Sequence, residues 1–239
     1  MPEPTRIPAE RRRRRPTKNG TVLTEEAIVT AALELIEAPG GNALTVRRLG
    51  SALGCDPSTV YRYFTDADAL LLAAADRLIG DSLDGFTPGP DWRASLRDFA
   101  VRVHSSVLHH PRLAAVRASR MTAGPAERRA VDTGIGILLR AGFAPAEAVR
   151  QYRTFIDTVL AHATLDADVL GLTAQQREQQ AGVWQDVDAL LPDEYPHLHA
   201  VRDHLPDMAQ SAFPDVLDIL LAHLAGRLAG EAPAGSAGR

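Results

Sequence analysis

The chain has 239 residues, a formal net charge of −4, 45% hydrophobic residues and one cysteine. This length allows a small domain together with a larger one that has its own packed core. One cysteine excludes a disulfide framework, no segment approaches the roughly 18 apolar residues of a membrane span, and no apolar secretion signal precedes the first predicted helix. We therefore expect a cytoplasmic protein with no membrane partner.

Charge is divided unevenly along the chain. Residues 1–65 contain ten basic and seven acidic side chains, whereas the remaining residues contain sixteen basic and twenty-three acidic ones. A basic N-terminal part favours a polyanionic partner such as nucleic acid. The acidic remainder does not suggest a second site of that kind.

Residues 1–22 form a basic arm that is too charged and too rich in proline to fold by itself. It contains five consecutive arginines: Arg11, Arg12, Arg13, Arg14 and Arg15. One interpretation is a solvated, disordered tail. We favour contact with DNA, along the phosphates or in a minor groove, because the arm adjoins the segment described next.

Residues 23–65 are predicted to form three helices. Thr24 can cap the first, and the second and third make a pair in which Thr45 caps one helix and Gly54 ends it in the left-handed conformation. Asp56 can cap the last helix, with Pro57 at its first position. The buried side of the middle helix is predicted to contain Leu49, Ala52 and Leu53. Only about three residues separate the pair, so the chain must turn sharply.

This helix pair is the arrangement that delivers a helix to the DNA major groove. Along the last helix Val60 and Phe64 face inward, whereas the outward and flanking positions hold Ser58, Thr59, Tyr61, Arg62 and Tyr63. Hydroxyls, an arginine and phenols suit a groove walled by phosphates. The alternative is an ordinary corner between helices, with the tyrosines covering a core. A connecting helix over 66–79 follows, opened by a capping box of Thr65 and Asp68.

Residues 23–79 resemble the DNA-binding head of the TetR family of bacterial transcriptional regulators. The residues that carry this resemblance are Thr45, Arg47, Leu49, Ala52, Leu53, Gly54, Ser58, Thr59, Val60, Tyr61, Tyr63, Phe64 and the stretch 68–71. The resemblance implies DNA contacts from Thr45, Arg47, Arg48, Ser58, Thr59, Tyr61, Arg62 and Tyr63. Many relatives have lysine where this chain has Ala67, so one phosphate contact is expected to be missing, and the arginine arm offers a substitute.

Residues 80–229 are predicted to form a larger helical domain, which makes the fold class all-α. Helical periodicity and helix-ending residues indicate helices over 92–109, 113–121, 126–141, 145–164, 173–191 and 214–228. Residues 230–239 are expected to be a disordered tail. In relatives this domain binds a small-molecule ligand and forms the dimer, and HHPRLA at 109–114 and AFPDVLDILLAHL at 212–224 resemble the tetracycline-repressor type of body.

By this resemblance the two long apolar helices over 146–164 and 214–228 pack against their copies as a four-helix bundle. The interface candidates are Val149, Tyr152, Ile156, Leu160, Leu217, Leu220, Leu221 and Leu224. The alternative for each is ordinary intramolecular core. A dimer also agrees with the short half-site that one small head can read.

The relatives' ligand pocket gives a second set of candidates: Phe99, His104, His110, Arg117, Met121, Phe155 and His162. Core packing is the alternative for the apolar members, since apolar stripes in helices are usually core. The polar members can orient a ligand inside a pocket or can lie at the surface.

Enzymatic interpretations have little support in the sequence. His197, His199 and His204 lack the regular spacing of zinc ligands, and Gly134 with Gly136 lacks the third glycine of a dinucleotide loop. Cys55 is predicted to pack in the turn rather than act as a redox switch. No nucleophile, base and orienting acid come together, so we expect no catalytic residues, no metal and no cofactor.

The sequence therefore predicts a ligand-responsive transcriptional regulator, most simply a repressor. It would bind a palindromic operator as a homodimer and be released by a small-molecule effector. The alternative functions are a structural DNA-binding protein of low specificity, without an effector, and an enzyme that has a DNA-binding head.

Overall fold

A computed structural model describes residues 23–38, 44–184 and 192–231, and within these ranges the chain forms eleven α-helices and no strand. The predicted all-α fold is confirmed. Two compact units divide the chain, one up to Ala74 and one from Ala75 onward, so the boundary falls inside the fourth helix. None of the described helices has the length and apolarity that crossing a membrane requires.

The N-terminal unit, called the head below, contains α1 (Glu25–Glu37), α2 (Val46–Leu53), α3 (Pro57–Val60) and the start of α4 (Ala67–Ser82). As predicted, the hydroxyl of Thr24 caps α1 by accepting the amide of Ala27 at 3.1 Å. Leu23, which precedes α1, is buried in this unit together with apolar side chains from all four helices: Ile28, Val29, Ala32, Val46, Leu49, Val60 and Leu70.

Two local predictions for the head were wrong. Ala52 is exposed, because the buried side of α2 runs through Val46, Leu49 and Gly50 at helical spacing. The side chain that caps α4 is that of Asp66, whereas the prediction gave this role to Thr65. Asp66, directly before α4, accepts the amide of Ala69 at 2.7 Å and so satisfies a free donor at the helix start.

The second unit, called the body below, contains the remaining helices. They are α5 (Trp92–His109), α6 (Ala114–Ser119), α7 (Pro125–Ala141), α8 (Pro145–Gly171), α9 (Ala174–Val183), α10 (Pro196–Ala200) and α11 (Phe213–Glu231). Short 3₁₀ segments lie at Pro111–Leu113 and Arg202–Ala209. Helix α8 extends seven residues beyond the predicted end at 164, because Ala163 and Ala167 pack with Val107 of α5. The segments over 196–209 were not predicted.

The body core lies between α5, α7, α8 and α11. Its members include Leu96, Phe99, Val103, Ile137, Leu138, Tyr152, Phe155, Val159, Leu217, Leu221 and Leu224. This corrects the interface assignment of Tyr152, Leu217, Leu221 and Leu224, because a side chain that its own chain buries has no surface left for a partner. Leu220 is half-buried and packs against the same cluster.

Glu147 joins the start of α8 to α11 through a carboxylate that is only 4% exposed. It accepts hydrogen bonds from Gln151 at 2.7 Å, from Arg150, and from Arg227 of α11 at 2.9 and 3.1 Å. The bonds from Gln151 and Arg150 lower the pKa of Glu147 from its ordinary 4.5 to about 2. The ionised form is therefore the one that holds the two helices together.

We expect Glu147→Gln to make the protein less sensitive to acid. The pKa of Glu147 is lower in the folded state, so its stabilising contribution is complete above pH 4.5 and is lost as the pH falls from 4.5 to about 2. Urea unfolding midpoints measured across this range should fall more steeply in the wild type than in Glu147→Gln. Asp98→Asn, at an exposed surface pair with Arg102, is the control that should follow the wild type. Parallel curves for all three proteins would contradict the assignment.

Candidate nucleic-acid interface and ligand cavity

Helices α2 and α3 form the predicted helix-turn-helix. Thr45 Oγ1 accepts the amide of Arg48 at 3.3 Å at the start of α2, and Gly54 ends the helix with φ of 63°. A residue with a side chain is strained at this φ, which explains glycine there. Asp56 then accepts the amide of Ser58 at 2.8 Å, with Pro57 as the first residue of α3.

The regular part of α3 is shorter than the prediction, which placed Phe64 on the same helix. It ends at Val60, and the chain continues in tight turns, with the amide of Tyr63 bonded to the carbonyl oxygen of Val60 at 2.9 Å. Val60, Tyr61, Tyr63 and Phe64 are β-branched or aromatic residues, which lose side-chain freedom in an α-helix. The turns nevertheless continue the path of α3 through the candidate recognition residues.

Most of the candidate DNA contacts lie at the surface of the head. Thr45, Arg47, Ser58, Tyr61 and Arg62 are exposed, while Arg48 and Thr59 are half-buried. The hydroxyl of Tyr63 donates instead to the carbonyl oxygen of Leu23 at 2.9 Å, so this side chain ties the end of the motif to the start of α1. The arginines of residues 11–15 lie outside the described residues.

The turn between α2 and α3 is poorly suited to redox chemistry. Burial, and secondarily the neighbouring charge of Asp56, raise the pKa of the Cys55 thiol. The thiolate, which is the reactive form, is therefore disfavoured. Hydrogen bonds from Ser58 lower the pKa of Asp56, so the carboxylate that caps α3 stays ionised.

The body contains a cavity of about 390 Å³, called the Arg117 cavity below. Helices α5 to α8 supply most of its lining, which includes Phe99, Val103, Arg117, Met121, Glu127, Val131, Ile135, Val149, Tyr152, Arg153, Ile156, Asp157 and Leu160. Its size lies at the lower end of the range for small-molecule sites, and a mostly apolar wall with a few polar groups is typical of them.

Three predicted pocket residues, Phe99, Arg117 and Met121, line this cavity. The sequence analysis missed Tyr152, Ile156, Leu160 and Val149, which it assigned to the dimer interface. Their spacing along α8 placed them on one helix face, but spacing alone does not distinguish a pocket wall from an interface. Phe155 is buried in the core, and His110 is half-buried. Neither residue lines this cavity or the second one described below.

Close packing of α7 against α8 positions Tyr152 at the cavity wall. A Cβ atom built on Gly134 would lie 2.2 Å from Cε2 of Tyr152, so only glycine leaves room for the ring. Burial raises the pKa of the Tyr152 hydroxyl, which therefore stays protonated.

His104 and His162 line a second, larger cavity of about 870 Å³. His104 Nε2 lies 2.8 Å from Oδ2 of Asp166, the Ser211 hydroxyl donates to the same oxygen at 2.6 Å, and the His104 ring stacks on Phe213 at 3.8 Å. These contacts connect α5, α8 and the start of α11. His104 therefore packs these helices together and does not line the Arg117 cavity. Among the described residues, no group of three or more metal-ligating side chains occurs.

A polar chain leads from the Arg117 cavity to α4. Glu127, in the cavity wall, accepts the amide of Ala123 at 2.7 Å, and the Thr122 hydroxyl lies 3.1 Å from Glu127 Oε2 and 2.8 Å from Asp76 Oδ1. Asp76, on α4, also accepts the amides of Ala126 and Glu127 at 3.1 and 2.9 Å, at the start of α7. The sequence analysis did not identify this chain, because its members are far apart in sequence.

Two family models match the chain. The one described as tetracyclin repressor-like, C-terminal domain, matches residues 87–227, and the one described as bacterial regulatory proteins, tetR family, matches residues 28–74. Together they cover most of the head, including α2 and α3, and most of the body.

Individual relatives agree with these matches. An HTH-type transcriptional regulator of Saccharopolyspora erythraea is 30% identical over 54% of this chain and 54% of its own length. The class C tetracycline repressor protein of Escherichia coli is 32% identical over 53% of this chain and 58% of its own length. The matched segments thus span just over half the length of these two relatives.

Solved structures share the fold over nearly their whole length. A proposed transcriptional regulator from Streptomyces coelicolor A3(2) has a TM-score of 0.70 at 27% identity, covering 86% of this chain and 98% of that one. ActR of Streptomyces coelicolor in complex with actinorhodin has a TM-score of 0.73 at 22% identity, covering 87% and 99%.

Proposed function

The chain belongs to the TetR family of bacterial transcriptional regulators, and from this membership we propose that it is a repressor that binds a palindromic operator as a homodimer and releases it when a small-molecule effector binds the body. The observation that carries the proposal is the helix-turn-helix of the head, whose polar residues are exposed while its apolar residues are buried. A surface of that composition suits a major groove.

Within the head, the exposed residues Arg47, Ser58, Tyr61 and Arg62 are the strongest candidates for operator contacts. Arginine binds phosphates or base edges through a planar fork, and the hydroxyls donate to either. Thr45, Arg48, Thr59 and Tyr63 complete the proposed contact set. Because the hydroxyl of Tyr63 is already bonded to Leu23, its role in DNA binding is to hold the motif in place or to contact DNA through its ring.

The N-terminal arm is the proposed replacement for a phosphate contact at Ala67. Its five arginines, residues 11–15, bring enough charge to release several counterions from DNA. Binding through the arm would therefore be strongly salt-dependent.

The proposed dimer uses the outer faces of α8 and α11. Ile219 on α11 and Leu165 on α8 are exposed apolar side chains. Gly226, also on α11, has open space around the position of a Cβ atom, so this chain's own packing does not require glycine there. Small residues let helix backbones approach closely, as in a bundle formed by two copies.

The Arg117 cavity is the proposed effector site. Glu127 in its wall bonds to the segment that leads, through Thr122, to Asp76 on α4. Helix α4 continues across the boundary into the head. An effector that rearranges Glu127 would therefore bias the position of α4, and the two operator-binding helices would no longer fit successive grooves.

Operator binding is tested by selecting duplexes from a random-sequence library and measuring affinity by fluorescence anisotropy at a fixed salt concentration. We expect a palindromic site, two protomers per duplex, and saturable binding that a scrambled duplex of equal length does not reproduce. Arg47→Ala should weaken binding to this site by roughly 10- to 100-fold and leave the dimer intact.

Arg129→Ala, at an exposed position of α7, is the matched control and should bind as the wild type does. Binding that depends only on duplex length would instead identify a structural DNA-binding protein of low specificity. Loss of the dimer in Arg47→Ala would contradict the assignment of Arg47 to the DNA surface.

A further inference from the structure

Arg117 is a buried cation in the wall of the Arg117 cavity. The residue lies on α6 and is 6% exposed, and among the described residues it makes a single hydrogen bond, from Nη1 to the Ser106 hydroxyl at 2.9 Å. Its Nε is buried and has no hydrogen-bond partner within the described part of the chain. A guanidinium has five donor hydrogens, so most of this group's bonding capacity remains unused.

The acidic groups of the same cavity are committed to other partners. Asp157 is ion-paired with Arg153, and Glu127 accepts from Ala123. Burial lowers the pKa of Arg117 to about 10, with no opposing effect from a nearby carboxylate. At neutral pH the guanidinium is still charged, and a buried charge without a partner is costly.

A ligand with a negative charge beside the Arg117 guanidinium would offset this cost. We propose that the Arg117 cavity takes an anionic effector, an apolar scaffold bearing a carboxylate or an equivalent acidic group, whose negative charge binds Arg117. The inference rests on the proposed function, since it assigns a chemical class to the effector of that same cavity. The planar fork of arginine matches a carboxylate bidentately, and the apolar wall formed by Phe99, Val103 and Ile156 fits the scaffold.

Two dyes that share a ring system and differ in charge test this inference on the full-length protein. 1-Anilinonaphthalene-8-sulfonate carries an acidic group, N-phenyl-1-naphthylamine does not, and both become fluorescent in apolar sites. We expect the wild type to bind the sulfonate more tightly. In Arg117→Met the dissociation constant for the sulfonate should rise by roughly 10- to 100-fold, while that for the neutral dye changes by less than about twofold.

Two further variants sharpen the comparison. Arg129→Met removes the same charge from an exposed position of α7 and should leave both dissociation constants unchanged. Arg117→Lys keeps the charge without the fork and should retain a preference for the anionic dye. The thermal midpoint of Arg117→Met should equal or exceed that of the wild type, because an uncompensated buried charge has been removed.

The anionic assignment would be overturned if Arg117→Met lost affinity for both dyes equally, or if it lost no more affinity for the sulfonate than Arg129→Met does. Either result would leave the cavity as an effector site. A marked fall in the thermal midpoint would instead give Arg117 a purely structural role and would also overturn the assignment. Failure of the wild type to bind either dye would overturn the cavity's role as effector site as well. Operator affinity measured in parallel separates these outcomes from a failure of the DNA-binding proposal.

Discussion

Replacing Ile219 with glutamate is expected to convert the proposed dimer into a monomer of 25.7 kDa and to weaken operator binding by roughly 100- to 10,000-fold. The side chain is 67% exposed on the outer face of α11, so its replacement should leave the folded chain intact. In a two-fold dimer the same face of each copy meets the other, and two glutamates would then be buried close together. Like charges without partners in such a position oppose association.

Size-exclusion chromatography with light scattering measures the mass, and anisotropy with a two-half-site duplex measures the affinity. The control is Val101→Glu, which introduces the same charge at a 45% exposed apolar position on α5 and should remain dimeric. If Ile219→Glu loses helical circular dichroism, Gly226→Arg tests the same face, since a side chain there meets open space within one chain. A folded Ile219→Glu dimer of unchanged affinity would exclude this face as the interface.

The second large effect is expected for Asp76→Ala, which should lower the free energy of unfolding of the body by about 2 to 4 kcal/mol. Asp76 is 8% exposed and accepts bonds from the Thr122 hydroxyl and from the amides of Ala126 and Glu127. Alanine leaves the amides of Ala126 and Glu127 without this acceptor, whereas the Thr122 hydroxyl keeps Glu127 as an acceptor. It also removes a negative charge from the start of α7, where the helix dipole favours one.

Urea unfolding followed by tryptophan fluorescence reports on the body, because Trp92 and Trp184 both lie after the unit boundary. Asp81→Ala removes an aspartate from the same helix, at an exposed pair with Arg77, and should change stability by less than about 0.5 kcal/mol. A loss below about 1 kcal/mol in Asp76→Ala would show that Asp76 does not anchor α7.

The helix starts and ends of the head were largely predictable, because the interactions that set them are local. Thr24, Thr45, Gly54 and Asp56 each act on residues within four positions, and all four were assigned correctly from the sequence. The error at Ala52 arose where the side facing the core depends on which other helices pack around α2. Local chemistry sets where a helix starts and ends, whereas tertiary packing decides which side is buried.

The body was predictable in outline but less so in the roles of its side chains. The bounds of α5 followed from its periodicity, whereas the extension of α8 depends on Ala163 and Ala167, whose partners on α5 and α6 are more than forty residues away in the sequence. Arg117 was a candidate ligand residue because of its polar side chain and the resemblance to relatives that have a ligand pocket. The burial of Arg117 without a carboxylate partner depends on tertiary packing. The position of Tyr152 in the cavity wall, where the sequence had predicted an interface residue, depends on it too.

The contact between Gly134 and the Tyr152 ring makes the size of the cavity depend on a residue outside its wall. A side chain at position 134 would displace the Tyr152 ring, and this residue is part of the cavity wall. For the proposed effector site, a substitution on α7 would therefore change the range of molecules accepted without altering Arg117. A larger residue at position 134 is therefore a starting point for engineering a sensor of smaller compounds. The same substitution can arise in nature by mutation of one glycine codon.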